Sequence, residues 1–258
     1  MVRIVGTSIK DAFQLLRGNW LNIIGVVVLA YVIKLVFETL PVQGTVQVRM
    51  EPLTIANTNN LLSLAIAAVV NSILFFIIID YITKTAHTMR RRFWSTCAYP
   101  FKQWSLLYKG TAVFFMTYLL LDVVGTLFMY GGILGLFGNM MALQAGGAML
   151  LAFYAGIFTL LIWILLGISQ VGYILYEYPE KSVLKSIRES FTMMKGYRLS
   201  LLGLFVLAVI SILAGALLFI IGAVIMIVVY EVVRLAFYQE LKRRKRREDW
   251  HRKVNAGA

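Results

Sequence analysis

The 258-residue chain is 60% hydrophobic and only 14% charged, with a mean hydropathy of +0.80. Because soluble domains carry about 45–50% apolar and about 25% charged residues, this composition excludes an ordinary soluble protein and predicts an integral membrane protein. The single cysteine, Cys97, excludes an internal disulfide and a thiolate metal cluster, and the placement of the formal charge of +13 favours anionic lipid headgroups over nucleic acid.

Apolar stretches long enough to cross a bilayer follow one another along the chain. A spanning helix needs about 20 such residues, and the predicted spans are residues 20–40, 61–84, 111–137 and 147–176, then a longer block, 199–238. As one helix that block would be about 60 Å long, roughly twice the hydrocarbon core. It is therefore expected to hold two spans that turn between Gly215 and Gly222. Between the first two spans, residues 45–51 alternate polar and apolar side chains, which leaves a short hairpin or an irregular loop open.

Lysine and arginine are concentrated in four segments of the chain. They occur before the first span, between the second and third, between the fourth and fifth, and after Tyr238, whereas the other connections carry only Arg49. Because positively charged connections stay on the cytoplasmic side, the sequence predicts a multipass plasma-membrane protein with both termini cytoplasmic.

An amphipathic segment before the fifth span repeats near the N-terminus. Residues 182–195 place one set of apolar side chains on a single helical face: Val183, Leu184, Ile187, Phe191 and Met194. A basic residue and a glycine, Lys195-Gly196, then end the helix. Residues 8–30 match this segment at a constant offset, with Arg17-Gly18 in the same place, and a weaker third copy at residues 100–110 ends at Lys109-Gly110.

These copies predict the fold class. We expect an all-α integral membrane fold of six transmembrane helices, built as three parallel repeats of an interfacial amphipathic helix and a transmembrane hairpin. The repeat units are residues 4–92, 95–178 and 180–241, with hinges at Gly18, Gly110 and Gly196. Together they form one membrane domain, 1–241, followed by a basic cytoplasmic tail, 242–258. The alternative is convergence, since any interfacial helix before a span tends to end in this way.

Three motifs carry a family resemblance. They are RGNW at residues 17–20, KSIRESFTMMKG at 185–196 and FYQEL at 237–241. In these motifs the chain resembles the bacterial multipass membrane protein family catalogued as domain of unknown function 975. Its helix-bend-span unit is more distantly similar to the membrane domain of glycerophosphoryl diester phosphodiesterases. The resemblance implies a bacterial plasma-membrane protein and implies no particular activity.

Five polar residues are expected within the spans, where an ionisable group costs about 2.5–3.5 kcal/mol at the bilayer centre. The candidates are Asp122, Lys34, Glu231, Arg234 and Asn71. Glu231 and Arg234 lie three residues apart and are close enough to pair. Two interpretations stay open. In one, Asp122 exchanges a proton or cation beside Lys34 or the Glu231–Arg234 pair; in the other, these groups only specify helix packing.

Two further acidic residues lie in or near the spans. Glu38 follows Lys34 by four residues and can pair with it. Asp80, near the inner end of the second span, is expected to reach the headgroups.

The basic connections predict a lipid-facing surface, because each charge near anionic lipid gains about 1 kcal/mol. Its candidate residues are Arg90, Arg91, Arg92, Lys185, Arg188, Lys195, Arg243 and Arg244. Common enzyme motifs are absent from the sequence, so we expect no enzymatic activity, no cofactor and no metal. The pattern favours a transport-like protein that engages membrane lipid or a small hydrophobic molecule. The alternative is a non-transporting partner of a membrane transport or envelope complex.

Overall fold

The computed structural model describes residues 2–39, 58–86, 93–137, 146–218 and 220–256, and these ranges contain helices and no strand. The helices are α1 (Val2–Leu16), α2 (Trp20–Thr39), α3 (Thr58–Ala86), α4 (Phe93–Cys97), α5 (Tyr99–Lys102), α6 (Trp104–Phe137), α7 (Gly146–Ile168), α8 (Val171–Glu177), α9 (Val183–Met193), α10 (Arg198–Leu218) and α11 (Ile220–Ala256). The possible hairpin at residues 45–51 lies outside the described residues.

Six segments are long and apolar enough to cross a membrane. Five of them are the single helices α2, α3, α6, α10 and α11, and the fourth along the chain consists of α7 and α8. The prediction of six spans is thereby confirmed at the level of length and composition. The apolar block after residue 198 divides into two helices as expected, since α10 ends at Leu218 and α11 begins at Ile220. The two helices approach closely beside this turn, where a Cβ on Gly215 would lie 2.7 Å from the carbonyl carbon of Gly222.

The fourth span is interrupted near its C-terminal end. Helix α7 ends at Ile168, and α8 begins after a turn formed by Ser169 and Gln170. The Ser169 hydroxyl donates to the backbone carbonyl of Leu166 at 2.7 Å. Such a side-chain bond competes with the regular helical pattern, which explains a break that an apolar run alone does not reveal.

The last span does not stop where the predicted basic tail begins. At 37 residues, α11 is about 55 Å long, well beyond a hydrocarbon core of about 30 Å. Residues 242–256 therefore continue the same helix past the membrane-spanning length. They are tied to the rest of the protein by ion pairs from Lys242 to Glu177 and from Arg243 to Asp11.

The amphipathic helices α1 and α9 turn most of their apolar residues toward protein. Every fourth residue of α1 is buried: Ile4, Ser8, Ala12 and Leu16. In α9 the partly buried Val183, Ile187 and Phe191 pack against the bundle, while Leu184 stays exposed. Packing against neighbouring helices therefore buries most of these apolar faces, while Phe13 and Leu184 stay exposed.

The hinge glycines behave in two ways. Gly18 and Gly196 adopt φ of +90° and +86°, in the left-handed region that favours glycine, directly after α1 and α9. Gly110, by contrast, lies inside α6, so the hinge predicted there is wrong. Its missing side chain instead allows α3 to approach, since a Cβ would lie 2.4 Å from the Phe76 ring. The chain breaks before α6 at Gln103.

The helix ends that carry the basic residues meet at one end of the bundle, here called the basic end. It comprises the α1–α2 turn, the C-terminal turns of α3, the start of α6, the segment from α8 to the start of α10, and α11 from Tyr238 onward. Contacts join its parts, such as the hydrogen bond from Lys109 Nζ to the Pro179 carbonyl at 2.6 Å. Two exposed tryptophans, Trp20 and Trp104, begin α2 and α6 on this side, and the exposed Trp163 lies in the last turns of α7.

Candidate functional site

The first polar cluster of the basic end surrounds Asp80, whose side chain is fully buried. Its carboxylate forms an ion pair with Lys84, one helical turn later, and accepts a hydrogen bond from the Tyr176 hydroxyl at 2.9 Å. The Lys84 ammonium lies 4.5 Å from the centre of the Tyr99 ring. Asp80 therefore does not reach the headgroups as expected, because α8 brings Tyr176 over it.

Two ionisable groups in this region, Tyr99 and Cys97, have raised pKa values. Burial and the nearby Asp80 carboxylate raise the pKa of Tyr99, since both disfavour a second negative charge. Burial likewise raises the pKa of the Cys97 thiol. A thiol with a raised pKa is a poor nucleophile at neutral pH, so neither group is activated for chemistry.

A second cluster lies deeper, where Glu231 and Arg234 pair as their spacing predicts. Arg234 Nη1 is 3.8 Å from Glu231 Oε2, and the Tyr31 hydroxyl donates to Glu231 Oε1 at 2.8 Å. Lys34 joins the edge of this cluster, with Nζ 5.9 Å from the centre of the Tyr31 ring. The Glu231 carboxylate is thus held by groups from two helices. The side chain of Glu38, the expected partner of Lys34, lies outside the described residues.

Tyrosines link this Glu231 cluster to the basic end. The Arg234 guanidinium lies 5.7 Å from the ring of Tyr173, which stacks on Tyr238 at 5.1 Å. The Tyr238 hydroxyl donates to Glu177 at 2.9 Å, and Glu177 also pairs with Lys242. Charged and aromatic groups therefore run continuously along α11, from mid-span to its basic half.

Two of the predicted polar residues are not part of this network. Asp122 is exposed on α6, 18 residues or about 27 Å from Trp104, and forms no hydrogen bond or ion pair within the described part of the chain. Asn71 donates to the Ala67 carbonyl of its own helix at 2.8 Å. The structure therefore brings together Lys34, Glu231 and Arg234 but leaves Asp122 and Asn71 apart.

The predicted lipid-facing cations are placed unevenly. Lys185, Arg188 and Lys195 are exposed on or directly after α9, while Arg90, Arg91 and Arg92 lie outside the described residues. On α11, Arg243 and Arg244 lie within 4.0 Å and 2.8 Å of Glu240. Part of the α11 charge is thus neutralised within the protein, so α9 presents the less compensated cations.

Sequence reasoning missed the tyrosines of both clusters and the burial of Asp80. A tyrosine in an apolar run carries a hydroxyl that needs a partner when buried, and this is the signal that points to Tyr31 and Tyr176. Which partner each one finds depends on helices far apart in the chain. Among the described residues, no group of three or more His, Cys, Asp or Glu side chains is placed to hold a metal ion.

No family model matches the chain, and no significant similarity to a curated protein or to a solved structure is found.

Proposed function

We propose that the chain is a multipass protein of the bacterial plasma membrane whose basic end faces the cytoplasm and engages anionic lipid. The observation that carries the proposal is the gathering of lysine- and arginine-bearing segments at one end of six apolar helices. Cytoplasmic connections are the ones enriched in these residues. The exposed Trp20 and Trp104, which begin α2 and α6, support placing this end at a membrane–water interface, where tryptophans are enriched.

Of the transport-like and lipid-engaging forms of this function, the geometry favours lipid engagement. A polar path through the bundle was expected to include Asp122, yet this residue lies on an exposed face of α6. The Glu231 carboxylate accepts a hydrogen bond from Tyr31 and pairs with Arg234. Bonds of this kind between polar groups specify how spanning helices pack. A role in moving a small hydrophobic molecule is supported only by the presence of the charged pair Glu231–Arg234 within a span.

We also propose that the first and last copies of the predicted repeat are structurally equivalent. Ser8 and Ser186 occupy matching positions and are both fully buried. Gly18 and Gly196 also match and share a positive φ. The middle copy has two short helices, α4 and α5, in place of a long amphipathic helix, and supports the repeat less. Membership of the domain of unknown function 975 family stays a prediction.

A second function, as a partner of another membrane protein, is favoured by Asp122 alone. A carboxylate on the outer face of a spanning helix is costly in lipid. A neighbouring protein that supplies a cation or hydrogen-bond donors would remove this cost. The observation does not identify that neighbour.

Spin-labelled lipids test the proposed function in reconstituted bilayers. At low salt we expect labelled phosphatidylglycerol to associate with the protein about fivefold more strongly than phosphatidylcholine, as one extra favourable charge contact implies. The preference should fall in 1 M salt, where the Debye length is about 3 Å. Equal association of both lipids at low salt would rule out lipid engagement through the basic end.

A further inference from the structure

An open groove of about 550 Å³ lies at the basic end between the last turns of α7, helix α9 and the start of α10. Its chemically distinctive residues are Trp163, Arg188, Phe191, Lys195 and Arg198. Three of them are cations and two are aromatic, and none of the described residues that line the groove is acidic. This composition differs from that of the neighbouring groove along α11, whose lining includes Glu189 and Asp249.

The fold fixes this groove through the contact between α9 and α7. The Ser190 hydroxyl donates to the carbonyl of Gly167 at 2.5 Å. Because Gly167 has no side chain, the Phe191 ring packs directly on it, and a Cβ there would lie 2.7 Å from that ring. Arg188 lies three residues before Phe191 on α9, and Lys195 lies in the turn that follows the helix. Both cations line the groove together with Trp163 of α7.

Arg198 forms the floor of the groove between two rings. Its guanidinium carbon lies 4.8 Å from the Trp163 ring and 5.0 Å from the Phe191 ring. Stacking of this kind orients the planar guanidinium without consuming its N–H donors. Within the described chain, Arg198 Nε is buried and donates no hydrogen bond. A preoriented donor group therefore borders the groove.

The cations of the groove have no acidic partner among the residues that the structure describes. The carboxylate of α9, Glu189, is drawn to the other side of the helix by Lys181, at 2.6 Å. Within the described part of the chain, Arg188, Lys195 and Arg198 form no ion pair. An anion that enters the groove would meet three positive charges and, among the described lining residues, no competing carboxylate.

The groove continues into an apolar, outward-facing surface. Helices α7 and α10 contact each other. On the exposed sides of these two helices lie Phe153, Leu160, Phe205 and Leu213. A ligand that fits both regions has an anionic head and long apolar chains.

We propose that this groove binds the headgroup phosphate of one anionic phospholipid, whose acyl chains lie along the outer faces of α7 and α10. The inference rests on the proposed function and adds a defined site to it. Arg188 and Lys195 attract the phosphate, and Arg198, placed beside the Trp163 ring, donates hydrogen bonds to its oxygens. Zwitterionic lipids lack the net charge that three unpaired cations select.

Native mass spectrometry of the purified full-length protein, titrated with phosphatidylglycerol, tests this site. We expect one tightly bound lipid in the wild type and about 30-fold weaker binding in Arg188→Gln/Lys195→Gln, which removes two charge contacts. Both side chains are exposed, so the variant should fold, as its elution volume and circular dichroism will show. Arg198→Lys keeps the charge but loses the planar stack, and should weaken binding about two- to fivefold.

The matched control is Lys10→Gln/Arg17→Gln. These two exposed residues occupy the equivalent positions of the first copy and do not line the groove, so their loss should leave the tight lipid in place. Millimolar inorganic phosphate should fail to displace the lipid, because it lacks acyl chains. Any of four results would overturn the assignment: the groove variant binds lipid like the wild type, the control variant loses as much binding as the groove variant, phosphate displaces the lipid, or phosphatidylcholine binds equally well.

The spin-label experiment separates this site from the proposed function. If the preference for phosphatidylglycerol persists while the groove variant binds lipid normally, the site is wrong and the proposed function stands.

Discussion

Replacing Lys84 with methionine is expected to lower the free energy of unfolding by about 3–5 kcal/mol. The substitution removes the cation that pairs with the fully buried Asp80 carboxylate. The Tyr176 hydroxyl, which donates to Asp80 at 2.9 Å, cannot replace a full positive charge. Most of this cost comes from leaving a buried carboxylate without a cation, and less comes from the lost attraction within the ion pair. Thermal unfolding in detergent should show a midpoint lower on the order of 10 °C.

The double variant Asp80→Asn/Lys84→Met is the control for this prediction. An asparagine keeps an acceptor for Tyr176 and carries no charge, so most of the lost stability should return. A Lys84→Met protein within about 1 kcal/mol of the wild type would contradict the buried placement of Asp80, because exposed ion pairs contribute only about that much.

Replacing Gly215 with valine is expected to disrupt the hairpin of α10 and α11 and to cost about 3 kcal/mol or more. A Cβ at this position would lie 2.7 Å from the Gly222 carbonyl carbon and 2.8 Å from its oxygen. Backbone atoms of a neighbouring helix cannot turn aside as a flexible side chain can. The two helices must therefore separate, and the close contact that small residues allow between spans is lost.

Gly203→Val in the same helix is the matched control. No atom lies within 4 Å of a Cβ built at Gly203, and the residue is exposed. Its substitution should change stability by about 0.5 kcal/mol or less. Unfolding by a denaturing detergent compares the two variants. Equal stability of Gly215→Val and Gly203→Val would show that α10 and α11 do not meet at Gly215.

The spans were predictable because each depends only on the length and apolarity of its own segment. The last block illustrates this: its length alone demanded two helices, and the turn falls between Gly215 and Gly222. The turns at Gly18 and Gly196 were also readable, since a basic residue followed by glycine ends a helix through local geometry. The same local signal misled at Gly110, where the glycine is required by the Phe76 ring of another helix.

In the candidate site, too, contacts within one helix could be predicted and contacts between helices could not. The Glu231–Arg234 pair follows from helical spacing within one segment and is present. The partners that complete both clusters, Tyr31 and Tyr176, come from other helices, and no periodicity within a single segment selects them. Asp122 is expected within a span because apolar residues surround it in the sequence, but an apolar run does not reveal which side of the helix faces the bundle.

Accessibility labelling of single cysteines tests most directly whether the basic end faces the cytoplasm. In a Cys97→Ser background, cysteines replace the exposed Arg17, Lys102, Lys185 and Arg243, one at a time. A membrane-impermeant maleimide should leave all four unlabelled in intact bacterial cells and label them after lysis, whereas Arg49→Cys should react in intact cells. Labelling of any of the four before lysis would contradict the orientation, and with it the encounter between the basic end and the anionic inner leaflet.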